Sequence, residues 1–218
     1  MGKKSITQIY QKAEDRSMSL LDSLLRRLRG SVKNTIGNDI KNAVSKAVST
    51  SSKTLSFDKL PETVEELKAM PGADLKDPNC VAALTVLALC EYAKDREASI
   101  EMLNYLKGPR PLSQHEIQFI SDRFMDGVDY VPRSYLAGSS PENDYTPSFP
   151  YTVTVKEFAH SRDNYKEGYL RLFISSSGAD SERFLDLRNK PSTGQWFLWE
   201  FSGMLLGIRT PVSKNAWA

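Results

Sequence analysis

The sequence predicts an α+β fold, with a helical N-terminal half packed on a C-terminal antiparallel sheet of about four strands, preceded by a long amphipathic helical arm. Three observations predict it. Apolar side chains recur at helical spacing through the first 124 residues, two-residue alternation takes over after Pro150, and basic side chains concentrate at the N-terminal end. Residues 1–55 hold eleven basic and four acidic side chains, whereas residues 56–218 hold eighteen and twenty-three. A basic arm therefore adjoins an acidic body, although the formal net charge is only +2. That small charge gives no reason to expect nucleic acid as a partner. A composition of 40% hydrophobic and 26% charged residues is that of an ordinary globular chain.

The arm, residues 1–48, carries an apolar stripe through Leu21, Leu24, Leu25, Leu28, Val32, Ile36 and Ile40 to Val44 and Val48. Leu21, Val32 and Ala43 stand eleven apart, as do Leu25, Ile36 and Ala47. An eleven-residue period, about 3.67 residues per turn, keeps a nearly straight stripe on one helix. Arg26, Arg27, Arg29 and Lys33 lie between the stripe positions. Gly30 and Gly37 each cost about 1 kcal/mol relative to alanine inside a helix, so the arm needs a surface on which to bury its stripe. An anionic lipid interface, a second copy or protein partner, and a groove on its own body all satisfy that need. The tract Ser49-Thr50-Ser51-Ser52-Lys53-Thr54 reads as flexible, which predicts a linker over 49–55 and a body over 56–218.

Local signals order the body. Thr63-x-x-Glu66 opens a short helix and Pro71-Gly72 stops it; Asp77-Pro78 caps a second helix that is apolar almost all round and so belongs at the centre. Asp95 begins a third helix that Gly108-Pro109 ends, and Ser113-x-x-Glu116 opens a fourth. Gly127 to Pro150 then breaks the pattern with four prolines and with Tyr130, Tyr135 and Tyr145. Those rings and Arg133 either form a ligand or interface loop or staple the loop over the body. Alternation through Tyr151–Val155, Leu170–Ile174, Phe184–Arg188 and Trp196–Phe201 gives the strands. Trp196 and Trp199 fall on opposite faces of the last one, so at least one of them faces the core.

Chemistry is harder to find. His115 and His160 are the two histidines, the first in the opening turn of a helix and the second in a turn after a strand. No Gly-x-Ser-x-Gly elbow, zinc-ligand spacing or glycine-rich phosphate loop occurs, so neither a metal nor a cofactor is expected and the chain reads as non-enzymatic. Cys80 and Cys90 lie ten residues apart on one helix, about 15 Å, beyond the roughly 7 Å a disulfide allows. Reduced thiols fit a cytoplasmic location. Lys12, Glu14, Asp15 and Arg16 interrupt the apolar run of a secretory leader, and Val81 to Cys90 is about half a membrane span.

Several longer motifs carry a resemblance. Leu60-Pro61-Glu62-Thr63-Val64-Glu65-Glu66-Leu67-Lys68, Asp129-Tyr130-Val131-Pro132-Arg133-Ser134-Tyr135 and Gln195-Trp196-Phe197-Leu198-Trp199-Glu200 are similar to those of an uncharacterised bacterial domain-of-unknown-function family, over about residues 60–218. The resemblance implies a bacterial intracellular protein and lends no catalytic residue. The resulting expectation is an interaction module tethered to the inner membrane face by its arm. A scaffold that oligomerises through the arm, and a small-ligand or enzymatic domain with the tyrosine-rich loop as lid, are the alternatives.

Overall fold

The computed structural model describes residues 51–217. The chain divides into two units after Val48, and everything below belongs to the second. Strand β1 (Ser51–Phe57) comes first, followed by helices α1 (Val64–Lys68), α2 (Pro78–Glu91), α3 (Arg96–Lys107) and α4 (Gln114–Arg123). After the long loop come β2 (Tyr151–Glu157), β3 (Tyr169–Ile174), β4 (Arg183–Lys190) and β5 (Gln195–Glu200). This is the mixed α+β arrangement the sequence implies.

The helix starts are set locally. The Thr63, Asp95 and Ser113 side chains each accept a backbone N–H three residues on, and Asp77 accepts from Asn79 at 2.9 Å with Pro78 at the first helical position. Helix α2 has no solvent face, and every side chain from Val81 to Leu89 is fully buried. Its one hydroxyl there, on Thr85, donates to the Val81 carbonyl at 2.9 Å, so the polar atom costs little.

The sheet runs β1-β2-β3-β4-β5, antiparallel throughout. Val153, Val155, Leu170, Leu172, Ile174, Leu185, Leu187 and Leu198 point inward onto the helices and are at most 2% exposed. The neighbouring residues Phe173, Phe184, Arg171, Arg188 and Trp199 point outward and remain half-buried.

One boundary is corrected. Ser51–Leu55, expected to be linker, belong to β1, so the sheet has five strands rather than four. Thr54 and Ser56 meet Thr154 and Thr152 hydroxyl to hydroxyl at 3.0 and 3.1 Å, while Phe57 turns into the core. A Ser/Thr-rich tract looks flexible alone; its strand state comes from β2, a partner beyond four helices and a loop.

Candidate functional site

Strand β2 leaves the sheet at Phe158 and the chain makes two short 3-10 turns, Ala159–Arg162 and Tyr165–Glu167, before Gly168 leads into β3. The Ser161 hydroxyl accepts the Phe158 N–H at 2.9 Å, and Arg162 clasps Glu157 through two hydrogen bonds of 2.7 and 3.1 Å. This loop overhangs the outer face of the sheet. Beneath it is a cleft of about 320 Å³ lined by His160, Asp163, Asn164, Glu167, Tyr169, Arg171, Asp186 and Trp199.

The floor is a cross-strand ladder. Arg171 and Asp186 face each other in register and pair through two bonds of 2.7 Å, which raises the guanidinium pKa further. The same guanidinium lies 4.0 Å over the Phe184 ring. One rung along, Tyr169 opposes Arg188, whose guanidinium lies 4.4 Å over the tyrosine ring and 5.3 Å from that of Trp199. Tyr169 and Trp199 meet edge to face at 5.7 Å. At the other wall the His160 ring stacks parallel to Phe158 at 6.0 Å and meets Phe173 edge-on at 5.1 Å.

Trp199 is held from behind by a buried charge. Lys107, with no side-chain exposure, donates to Glu116 Oε1 at 2.8 Å and to the Trp199 carbonyl at 3.2 Å. Burial would raise the Glu116 pKa, but the Lys107 ammonium and the Ser113 N–H and hydroxyl outweigh it and hold it down to about 2. The α3 stop then aims the next residues. Gly108 has φ +57°, and a Cβ there would come within 2.2 Å of the Phe197 ring. The glycine lets the chain wrap β5 closely enough to lay Arg110 4.3 Å over Trp199.

The sequence-designated residues are distributed differently. Leu21, Leu24, Leu25, Arg26, Arg27, Leu28, Arg29, Val32, Lys33, Ile36 and Ile40 lie outside the described residues. Tyr130, Tyr135 and Tyr145 are buried: Tyr130 and Tyr145 stack at 5.3 Å, and the Tyr135 and Tyr145 hydroxyls donate to the carbonyls of Met204 and Arg209. Their rings staple the long loop to the C-terminal segment, and of the three Tyr130 also borders a small cleft of about 260 Å³ with Val131, Leu205 and Ile208. Arg133 reaches a wider cleft of about 570 Å³ between α2 and the Phe149–Tyr151 segment. Its charges pair with one another, Arg133 with Asp129 and Lys94 with Glu62 and Glu91.

The cleft residues Tyr169, Arg171, Asp186 and Trp199 were not singled out from sequence as a site. The available signal was the outward half of each strand, which alternates aromatic and charged residues where a solvated face needs only polar ones. His160 sits in a turn, as its position after a strand suggests.

Among the described residues, no hydrogen bond links His160 to a hydroxyl or a carboxylate. Burial pushes the Cys80 and Cys90 thiols up to about 11 and 12, which keeps both protonated and poorly nucleophilic at neutral pH. No group of three or more histidine, cysteine and acidic side chains among the described residues is placed to hold a metal, and no helix among them is long and apolar enough to cross a membrane.

Neither the curated proteins nor the solved structures contain a match to the chain. A family described as Domain of unknown function (DUF6935) does match, over residues 59–212. That span holds α1 to α4, β2 to β5 and every residue of the outer-face cleft, and starts just after β1. The chain belongs to this family.

Proposed function

We propose that this chain is a non-catalytic interaction module whose body recognises a polar ligand or partner on the outer face of its sheet, and whose basic arm holds it to an anionic membrane surface. One observation carries the first half. The face turned away from the helices presents half-buried Tyr169, Phe173, Phe184 and Trp199 with three arginines stacked on rings, around a cleft of about 320 Å³. Rings with one open side and polar neighbours that converge on a concavity are the ordinary ingredients of a recognition site. The second half rests on the charge surplus and eleven-residue stripe of residues 1–48.

A fragment screen by NMR tests the first half, with the isotope-labelled full chain and a set of small ring-bearing polar compounds. Hits should gather at the Trp199 indole and the amides of residues 158–168. Hits that gather instead at Arg133 and Phe149 would move the site to the wider cleft. Sedimentation with phosphatidylserine vesicles tests the second half. The full chain should pellet, and a full chain with Arg26, Arg27 and Arg29 changed to Glu should stay in solution; equal pelleting would refute the tether. A truncation for the same purpose should stop before Ser51, because β1 starts there.

A further inference from the structure

Arginines in this body fall into two groups. Arg133, Arg162, Arg171 and Arg209 each pair with a carboxylate, and Arg183 donates to the carbonyls of Ser181, Leu206 and Gly207. Arg110 and Arg188 have neither kind of partner among the described residues; what they share is a ring. The Arg110 guanidinium lies 4.3 Å and that of Arg188 5.3 Å from the centre of Trp199, and Arg188 also covers Tyr169 at 4.4 Å. Arg96 and Arg123 lie over rings as well, Tyr92 and Phe119, but each stands on its own ring.

Two like charges on one indole repel, and stacking offsets that only in part. Stacking occupies the flat face of a guanidinium and leaves its N–H edge free, in the planar fork that suits an oxyanion. The Arg188 fork is held in place and the Arg110 fork is directed by its loop. Arg188 is set by its place on β4 between two rings, and Arg110 by the Gly108 turn and by Asn104, whose side-chain oxygen accepts the Leu112 N–H at 2.8 Å. For the half-buried Arg188, little ordering entropy is left for a ligand to supply.

We propose that Arg110 and Arg188 on Trp199 form an oxyanion subsite that grips a phosphate or carboxylate group of a small ligand seated in the adjoining cleft. This rests on the outer-face reading. Trp199 is a wall of that cleft, and Asp163 and Glu167 line it too. Those carboxylates repel an anion from their own part of the cleft and welcome hydroxyl or amine donors there. The ligand class is therefore a compound with an oxyanion at one end and hydrogen-bond donors at the other.

The test uses the labelled full chain and follows the Trp199 indole N–H by NMR. Inorganic phosphate and succinate are titrated in separate arms, each against sodium chloride at matched ionic strength. The signal should move saturably with phosphate, with succinate or with both, which identifies the preferred oxyanion. Arg110→Gln and Arg188→Gln should each weaken that binding about ten-fold, as loss of a charge-assisted bond does. Arg110 is exposed in a loop, so its variant keeps the fold and decides the matter should the Arg188 variant not fold. Three results would overturn the subsite: chloride reproduces the movement, neither anion saturates, or both glutamine variants bind as the parent does. Fragment hits that persist at Trp199 in both variants would then show the outer-face reading surviving the loss of the subsite.

Discussion

The two faces of the one sheet carry different chemistry on alternate residues of the same strands. The inner face is aliphatic and closed, with Leu170, Leu172, Leu185 and Leu187 in the core they share with α2 and nearly no exposure. The outer face is aromatic and cationic, with Tyr169, Phe173, Phe184, Arg171 and Arg188 half-open beneath the 158–168 loop. A face needed only for solubility is served by lysine, threonine and glutamate, as β1 and β2 show with their Thr54–Thr154 and Ser56–Thr152 pairs. The strands β3 to β5 depart from that economy. The contrast teaches that the closed side of the sheet carries the stability, while the open side is the one proposed for recognition, so substitutions should separate the two.

The sharpest way to break the comparison is to strip the charge that ties them together. Glu116→Ala leaves the fully buried Lys107 ammonium without its carboxylate and should cost about 3–5 kcal/mol in urea unfolding, with disturbance of the Trp199 indole signal. Next in size, Leu172→Ala should cost about 2–5 kcal/mol from the cavity it opens. Its neighbour Phe173→Ala, on the outer face, should cost about 1–2 kcal/mol, since that ring stays partly open to water. Equal costs at 172 and 173 would erase the distinction between faces.

Smaller effects sharpen it. The Glu116 pKa in the fold, about 2, lies below its ordinary 4.5. Its contribution is therefore fully present above about pH 5 and is lost as pH falls toward 2. Glu116→Gln should flatten the acid limb of stability over that window, measured by unfolding at successive pH values. Asp186→Asn, which weakens the half-exposed pair with Arg171, should cost about 1 kcal/mol or less. Tyr92→Phe should be neutral or stabilising by up to about 1 kcal/mol, because the buried Tyr92 hydroxyl has no hydrogen-bond partner among the described residues.

Two loops show where sequence reasoning succeeds and where it fails. Residues 127–150, long and rich in tyrosine, attract attention as a lid, yet Tyr130, Tyr135 and Tyr145 are buried rings, and the Tyr135 and Tyr145 hydroxyls donate to backbone carbonyls. Residues 158–168 look like an ordinary turn and form the roof of the cleft. Residue type is visible in a sequence, but whether a ring faces core or solvent in an irregular segment is not, because no period governs it. In the strands a period does govern it, and the opposite placement of Trp196 and Trp199 follows: Trp196 is buried and Trp199 stands beside the cleft.

The amino-acid sequence alone determined what depends on neighbours three or four residues away. The caps at Thr63, Asp77, Asp95 and Ser113, the stop at Gly108, the all-round apolar α2 and the inward leucines of the sheet are of this kind. The tertiary structure decided the entry of Ser51–Phe57 into the sheet, the burial of the loop tyrosines and the meeting of Arg110, Arg188, Tyr169 and Trp199. Each of these joins residues far apart in the chain, and its energy appears only once the core has brought them together. Short-range hydrogen bonding and periodicity are written in the order of residues; long-range pairing is a product of the collapse they direct.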